Sequence, residues 1–394
     1  MKAIGISRRL LSALCIFTAA LFVLSSALPA SAQWTVSNTQ HAWGGYNNAF
    51  LFTDADGTSK QFSYVYNDHP NTSGMWESAQ QIQLAIDAYV WAETNDSANK
   101  ATYLAEVTAL CDGYVKYQTK SALGAGGLVG DNWASADDGN DDVLWAVLAF
   151  VRAYDVTGTT RWLTDAENNF NAVWSRGYDT TWGGGIWWDA NHSTTGGGYK
   201  NSPSNWTFVE AGYLIDSACG HCGNYKSEAD TIYTWAKSYL YVSSTGEVCD
   251  GYKASGCQTG EYSYNYGSAI DAATEEADSP AITNMANFAM TGLGNYVTVI
   301  GGYNILPNYG TGYVSGGGFN GILLRAIGHA NVHGNINSTV LAWARANVTQ
   351  AWAMRDADEL AWDNWNSTTP VEGSSTYSWD CTDLDAGMFD IPIS

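Results

Sequence analysis

Four aspartates lie in one short stretch of the sequence, directly before a run of apolar residues. Asp137, Asp138, Asp141 and Asp142 precede residues 143–151, which carry no charge. A helix cap requires one or two acids and not four. Two close carboxylates are what glycoside hydrolysis uses: one protonates the leaving oxygen, and the other attacks the anomeric carbon or activates water. Sequence neighbours reach the retaining separation of about 5–5.5 Å more easily than the widest inverting one.

Alternative interpretations of this stretch and of a cysteine pair do not involve catalysis. An aspartate near a helix N-terminus accepts backbone N–H bonds and suits the helix dipole, so capping would also explain Asp141 and Asp142. Calcium binding is another alternative, but the acids in DDGNDD do not follow the spacing of an EF-hand loop. The motif Cys219-Gly-His-Cys222 lacks the second CxxC that would indicate zinc. We therefore expect no metal and no cofactor.

A second group of candidate residues lies in the stretch GGGIWWDANHSTTGGGYKNSPSN, between two glycine-rich turns. Trp187 and Trp188 combine an apolar face with a polar edge, which suits stacking on sugar rings. Asp189, Lys200 and Asn201 carry groups that can bond sugar hydroxyls. The alternative is a loop whose two tryptophans pack in the core.

Two further stretches also pass from a loop into an apolar helix. EYSYNYGSAI places Tyr264 and Asn265 before such a helix, and GGGFNGILLRAIG begins another. Tyr264 and Asn265 are candidate sugar-binding residues. Other catalytic signatures are absent from the sequence, which has no G-x-S-x-G elbow, no P-loop and no H-E-x-x-H pattern.

Helices of two kinds alternate along the sequence and would position these groups. One kind is apolar nearly all round and must be surrounded by protein, whereas the other has one apolar stripe and lies outside. The predicted inner helices are 82–91, 143–154, 206–218 and 319–330, and their outer partners are 101–117, 159–175, 225–240 and 339–353. This alternation predicts an all-α fold, a ring of helical hairpins known as an (α/α)6 barrel.

The connections between these helices differ with their direction. Links from an inner to an outer helix are short, as in 155–160, whereas the links back are long and rich in Gly and aromatic residues. Long loops at one end of a rigid scaffold are where binding and chemistry usually occur, so we expect the site there. About eleven helical segments begin near residue 38, and residues 355–394 are predicted to be irregular, so six hairpins with a degenerate final helix would fit. Residues 33–394 are predicted to form one domain.

The first 32 residues predict a secretory signal peptide. They have a basic start, an apolar middle and a small-residue end, with cleavage expected after Ala32. A membrane anchor is the alternative, but Ser25, Ser26 and Pro29 interrupt the apolar stretch. Cleavage removes three positive charges, so the net charge changes from −22 to −25. Such a surface repels nucleic acids and anionic membranes, so we expect a secreted monomer that acts on a neutral polysaccharide.

Six cysteines remain after the signal peptide, and an even number in an exported chain predicts disulfides. Cys249 and Cys257 flank the segment CDGYKASGC and would close a hairpin there. The others are Cys111, Cys219, Cys222 and Cys381.

The quoted stretches, in this order, resemble glycoside hydrolase family 76, the endo-α-1,6-mannanases and their fungal cell-wall transglycosylating relatives. DDVLWAVLAFVRAYDVTGTTRWL resembles that family's Asp-Asp, Trp, Arg-Ala-Tyr and Thr-Gly run. GGGIWW with YKNSPSN resembles its Gly-Gly-Ile-Trp-Trp and Lys-Asn elements. YSYNYG and GGFNGILLR resemble its Tyr-Asn-Gln-Gly and Phe-Lys-Gly motifs, although Tyr266 stands where Gln is usual and Asn320 where Lys is usual.

The resemblance implies an (α/α)6 barrel and a retaining mechanism, with Asp141 as nucleophile and Asp142 as general acid/base. It also implies α-mannan as the polysaccharide, cleaved within the chain at α-1,6 linkages. A cell-wall mannan transglycosylase would use the same residues and is the alternative enzyme. A non-catalytic glycan-binding protein is the alternative outside enzymes, and it would keep the aromatic residues without needing both aspartates.

Overall fold

The structure is a computed structural model, which describes residues 34–63, 74–117, 130–192, 198–260, 262–293, 298–309, 318–370 and 382–393. The predicted signal peptide and Cys381 lie outside the described residues.

The described chain forms helices that alternate between an inner and an outer ring. The helices are α1 Val36–Phe50, α2 Met75–Asn95, α3 Lys100–Tyr117, α4 Trp133–Ala136, α5 Asn140–Thr157, α6 Thr160–Gly177, α7 Ser202–Ala218, α8 Tyr225–Tyr239, α9 Ser263–Glu275, α10 Ser279–Thr291, α11 Phe319–Val332, α12 Ser338–Ala353 and α13 Thr382–Asp390. Helices α2, α5, α7, α9, α11 and α13 pack side by side in that order, and α13 closes the ring against α2. Helices α3, α6, α8, α10 and α12 pack outside, and α1 is the outer partner of α13. The predicted (α/α)6 barrel is confirmed.

Helix α5 shows why the inner helices are apolar on every side. Residues 143–151 are all buried, because α2 and α7 flank the helix in the ring while α3 and α6 cover it from outside. The ring of Phe150 packs against Trp133, Tyr114 and Trp162, which come from α4, α3 and α6. Helix α6, by contrast, buries one stripe, as predicted for an outer helix.

Two predictions about helix extent need correction. Residues 355–394 were expected to be irregular, but α13 forms there and completes the inner ring. The sequence did not indicate an inner helix here because Asp383 and Asp385 interrupt the apolar pattern, although both side chains are buried. Helix α2 begins at Met75, whereas the prediction began at residue 82. The prediction began too late because the first half of the helix contains glutamines, which interrupt the apolar pattern. Gln80 and Gln81 are buried through hydrogen bonds to Arg325 and to the Tyr46 hydroxyl.

Short antiparallel strands lie in the connections between the helices. They are β1 Leu51–Thr53 with β2 Lys60–Phe62, β4 Tyr241–Val242 with β5 Glu247–Val248, β8 Thr298–Ile300 with β9 Tyr303–Ile305, and the three-stranded sheet of β3 Lys200–Asn201, β6 Gly251–Lys253 and β7 Gly256–Gln258. The three-stranded sheet joins the loop that enters α7 to the loop that enters α9.

Two disulfides are present among the described residues. Cys249 and Cys257 bridge the β6–β7 hairpin region, which confirms the pairing predicted from CDGYKASGC. Cys219 and Cys222 form the other bridge, so the CxxC motif holds no thiol pair for zinc. Cys111 is buried in α3 as a free thiol.

The two ends of the ring differ as the loop lengths predicted. Links from inner to outer helices are short, and the links that enter the inner helices are long. The first residues of α2, α5, α7, α9 and α11 border one cleft, and Asp383 at the start of α13 accepts from the Gly321 backbone N–H at the start of α11, so these helix starts share one end of the ring. The inner helices therefore all begin at that end. None of the helices in the described part of the chain is long and apolar enough to cross a membrane.

Candidate active site

Three carboxyl groups converge where the chain enters α5. Gly139 precedes the helix, and a Cβ added there would lie 3.3 Å from Asp137 Oδ1, 3.4 Å from Asp141 Oδ1 and 3.4 Å from Asp142 Cγ. The carboxyls of Asp141 and Asp142 thus both approach one point in space.

The start of α5 is held in place by Asn140. Its backbone N–H donates to Trp188 O at 2.7 Å, and its side-chain amide donates to Trp187 O at 2.8 Å. Its Oδ1 accepts from Arg176 Nε at 2.7 Å. The first turn of α5 and the loop that enters α7 are therefore fixed to each other through backbone groups, which sets the position of the two aspartates.

The Asp141 carboxyl accepts two hydrogen bonds that favour its ionised form. Its Oδ2 accepts from Asn201 Nδ2 at 2.7 Å, and its Oδ1 accepts from the Asp142 backbone N–H at 3.2 Å. Burial raises the pKa of the Asp141 carboxyl to about 6, while these hydrogen bonds oppose the rise and the charge of Asp137 adds to it. The carboxyl is thus mainly ionised at neutral pH and titrates in the weakly acidic range.

Asp137 and Asp138 connect the loops around this pair. Asp137 Oδ1 accepts from the Gly139 backbone N–H at 2.8 Å, and its carbonyl accepts from Arg176 Nη1 at 2.9 Å. Asp138 Oδ2 accepts from Asn191 Nδ2 at 3.3 Å, and its carbonyl accepts from the Ala190 N–H at 2.8 Å. Both residues also line the cleft, so the four aspartates divide into a central pair and two residues that shape its surroundings.

A cleft of about 480 Å³ opens over the pair at the long-loop end of the ring. Carboxyl and aromatic side chains make up most of its wall: Glu77, Asp137, Asp138, Asp141, Asp142 and Asp189 are the acids, and Trp76, Trp145, Trp188, Tyr264 and Phe319 the aromatics. No lysine, arginine or histidine from the described part of the chain lines it. A wall of this kind suits a neutral ligand with apolar faces and many hydroxyls.

The two neighbouring tryptophans face different environments. Trp188 is 44 % exposed and lines the cleft. Trp187 is 6 % exposed, donates from Nε1 to Asp179 Oδ2 at 2.9 Å and stacks on His192. Only Trp188 of the two therefore presents a face to the cleft.

Lys200 lies outside the cleft and was expected to bind a sugar. Its ammonium group is fully buried, bonded to Asp179 Oδ1 at 2.8 Å and to the carbonyls of Asp179, Thr181, Gly184 and Gly185. The ammonium group therefore donates its hydrogen bonds within the glycine-rich turn. Lys200 stabilises this loop and does not reach a ligand in the cleft.

The remaining predicted residues fall into two groups. Asp189 and Tyr264 line the cleft. Asn201 and Asn265 are buried behind it, where Asn201 bonds Asp141 and Asn265 Nδ2 donates to Asp250 Oδ1 at 3.1 Å. These asparagines therefore position other groups.

Residues that the sequence analysis did not select complete the wall. Trp76 and Glu77 lie in the first turn of α2, Phe319 begins α11, and Trp145 lies in the second turn of α5. The available signal was positional: every inner helix begins at the same end, so polar and aromatic residues in the first two turns of any inner helix are candidates.

Comparison with known proteins adds an independent observation. The sequence profile of glycosyl hydrolase family 76 matches residues 35–381. The chain belongs to this family. A search of curated proteins found no match to the sequence.

Solved structures of family 76 share the fold at low sequence identity. An α-1,6-mannanase from Salegentibacter sp. HEL1_6 is 19 % identical, over 90 % of this chain and 98 % of that one, with a TM-score of 0.71. An inactive variant of the Salegentibacter enzyme, with two consecutive aspartates changed to asparagine and in complex with α-1,6-mannotriose, is 18 % identical over 91 % and 99 %, with a TM-score of 0.70. A family 76 mannosidase from Bacteroides thetaiotaomicron VPI-5482 is 17 % identical over 90 % and 96 %, also with a TM-score of 0.71.

The two departures from the usual family 76 motifs are buried side chains. The Tyr266 hydroxyl accepts from the Val248 backbone N–H at 3.2 Å, and its ring stacks on Phe288. Asn320 accepts from the Ser263 hydroxyl at 2.8 Å and donates to Pro307 O at 3.0 Å. Both lie near the cleft end, but neither is among the residues that line the cleft.

Proposed function

We propose that this protein is a secreted, retaining endo-α-1,6-mannanase, with Asp141 as nucleophile and Asp142 as general acid/base. The observation that carries the proposal is the carboxyl pair at the entry to α5, converging beneath a cleft walled by aromatic and acidic residues. Secretion rests on the signal peptide predicted for residues 1–32, and the catalytic domain would span 33–394 as a monomer.

The proposed reaction gives each carboxyl one role. The ionised Asp141 carboxylate, oriented by Asn201, attacks the anomeric carbon while Asp142 gives its proton to the departing glycosidic oxygen. Asp142 then takes a proton from water, the water oxygen attacks the same carbon, and the bond to Asp141 breaks. Two displacements at one carbon return the α configuration.

The substrate assignment rests on the cleft and on the relatives. Aromatic residues from several hairpins border the pair, with Trp188 before α7, Tyr264 in α9 and Phe319 in α11. An open cleft with platforms in different sectors suits a chain that runs past the pair on both sides, as internal cleavage requires. The Salegentibacter relative is described as an α-1,6-mannanase, and its inactive variant was solved with α-1,6-mannotriose.

The test is hydrolysis of linear α-1,6-mannan beside other neutral polysaccharides, with NMR of the first anomer formed. We expect α-configured oligosaccharides, and a loss of activity of about 10³-fold or more in Asp141→Asn because no glycosyl-enzyme can form. Asp142→Asn should lose a similar amount on mannan but recover on substrates with activated leaving groups.

The controls and contrary outcomes are defined by the same assay. Asp131→Asn, on the loop before α4 and outside the cleft wall, should leave the rate unchanged. A β-configured first product would contradict the nucleophile assignment, and full activity in Asp141→Asn would contradict the site. Products longer than the starting oligosaccharide would indicate the transglycosylase instead.

A further inference from the structure

One carboxyl in the cleft wall has no part in the mechanism above. Glu77 is the third residue of α2, is 6 % exposed and lines the cleft together with Asp137, Asp141 and Asp142. Its Oε2 has no hydrogen-bond partner among the described residues. Buried polar atoms in folded proteins nearly always have a partner, so an orphaned one in the wall of a binding cleft calls for a function.

The backbone around Glu77 makes room for its carboxyl group. A Cβ added at Gly74, the residue that caps α2, would lie 2.4 Å from Glu77 Oε2. Any other residue at 74 would therefore displace the carboxyl. The glutamate is folded back over the start of its own helix and is held at the cleft wall by this arrangement.

The groups that share the cleft wall with Glu77 on this side are acidic or apolar. Asp137 comes from the loop before α5, Asp141 and Asp142 from α5 itself, and Phe319 and Ile322 from α11. The Tyr114 hydroxyl of α3 lies under the same acids, since burial and the charges of Asp142, Asp137 and Glu77 all raise its pKa. No cationic side chain of the described residues lines this cleft to stabilise a further negative charge.

Helix capping is the structural alternative for an acid in a first turn, and its electrostatic signature is different. A carboxylate that stabilises a helix N-terminus is favoured as the anion, which lowers its pKa. Burial instead raises the pKa of the Glu77 carboxyl to about 7, its own backbone N–H opposes the rise, and the charge of Asp137 adds to it. Glu77 therefore holds its proton through the weakly acidic range in which Asp141 ionises.

We propose that Glu77 is a third, neutral carboxyl of the active site, which binds the glycan by donating its proton to a sugar hydroxyl beside Asp141 and Asp142. A protonated carboxyl offers a donor and an acceptor, which matches a sugar hydroxyl, whereas the ionised form only accepts. The inference rests on the proposed function, because the ligand it binds is the glycan that the aspartates cleave.

The experiment compares Glu77→Gln and Glu77→Leu with the wild type, measuring kcat and KM on α-1,6-mannotetraose between about pH 5.5 and about pH 8.5. Glutamine keeps a donor and an acceptor without titrating, so at about pH 6 its KM should stay within about threefold of the wild type. Leucine keeps neither, and its KM should rise about tenfold. The wild-type KM should rise as the pH passes about 7, and the Glu77→Gln KM should not.

A matched control separates this role from folding. Glu106 on α3 is also 6 % exposed, but it accepts from Asn47 Nδ2 at 3.1 Å and lies 3.8 Å from Lys60 Nζ, away from the cleft wall. Glu106→Gln should leave KM and its pH profile unchanged.

The outcomes distinguish the two proposals. If the wild type cleaves no α-1,6-mannooligosaccharide, the proposed function is wrong. If it does, either of two results overturns the inference about Glu77. One is a KM of Glu77→Leu equal to that of the wild type, and the other is the same pH profile of KM in the wild type and in Glu77→Gln. Should Glu77→Leu fail to fold, the pH profile of Glu77→Gln decides alone.

Discussion

Burial and a single side-chain amide have opposite effects on the ionisation of the residue that we assign as nucleophile. Burial favours the neutral form of Asp141, and the hydrogen bond from Asn201 favours the anion. The sequence predicted both residues to be part of the site, with Asn201 as a sugar ligand. It could not reveal that Asn201 bonds Asp141 instead, because these residues are 60 positions apart and only the ring of hairpins brings them together.

The pH dependence of catalysis should report this balance. Because the pKa of Asp141 is raised to about 6 from its ordinary value of 3.8, kcat/KM should fall as the pH drops through about 6 rather than about 4. Asn201→Ser removes the amide that lowers this pKa but keeps a good helix N-cap, so the acidic limb should move upward. A pH–rate profile measures the shift.

Asn337→Ser provides the control for that shift, since Asn337 also caps a helix, α12, outside the cleft wall. It should leave the acidic limb in place. An unchanged or lowered limb in Asn201→Ser would contradict the assignment of Asp141 as the group that must ionise.

At the scale of elements, the loop that enters α7 has a buried side and a cleft side. Lys200, Asp179 and Trp187 form the buried side, with the Lys200 ammonium 5.1 Å from the centre of the Trp187 ring. Trp188 and Asp189 form the cleft side. The composition of the loop predicted aromatic and polar sugar contacts. It could not separate Trp187 from Trp188, because adjacent residues of an extended segment point to opposite sides and the sequence does not show which side is which.

Replacing each tryptophan should therefore give different defects. Trp188→Ala removes an exposed platform, so KM should rise up to about tenfold with little change in Tm. Trp187→Ala leaves a cavity and removes the hydrogen bond to Asp179, and should cost about 3–5 kcal/mol of folding free energy. Steady-state kinetics and thermal unfolding of both variants measure the difference. Equal losses of Tm in the two would show that Trp188 is also a core residue.

At the scale of the whole molecule, a buried ion cluster ties opposite sectors of the ring together. Asp87 of α2 is 3 % exposed and accepts from Arg152 Nη2 of α5 at 2.5 Å and from Arg325 Nε of α11 at 2.6 Å. It lies twelve residues after Met75, or about 18 Å below the cleft end of α2 at 1.5 Å per residue. The inner ring was predictable from apolar residues, but this cluster was not, because charged residues in the sequence usually indicate an exposed face.

Asp87 should stabilise the ring without taking part in catalysis. Burial opposes its charge, but Arg325 and Arg152 outweigh it and lower its pKa, so its contribution is present above the ordinary value of 3.8 and is lost as the pH falls through the lower, folded value. Asp87→Asn would leave two buried guanidinium groups without their shared counter-charge, which should cost about 3–5 kcal/mol of folding free energy at neutral pH.

Asp112→Asn is the control, because it breaks a half-exposed ion pair with Lys116 and should cost less than about 1 kcal/mol of folding free energy. Denaturant unfolding of both variants measures these costs, and kinetics on mannooligosaccharide should show an unchanged KM in each. If Asp87→Asn were as stable as Asp112→Asn, packing of the apolar faces alone would be enough to close the ring.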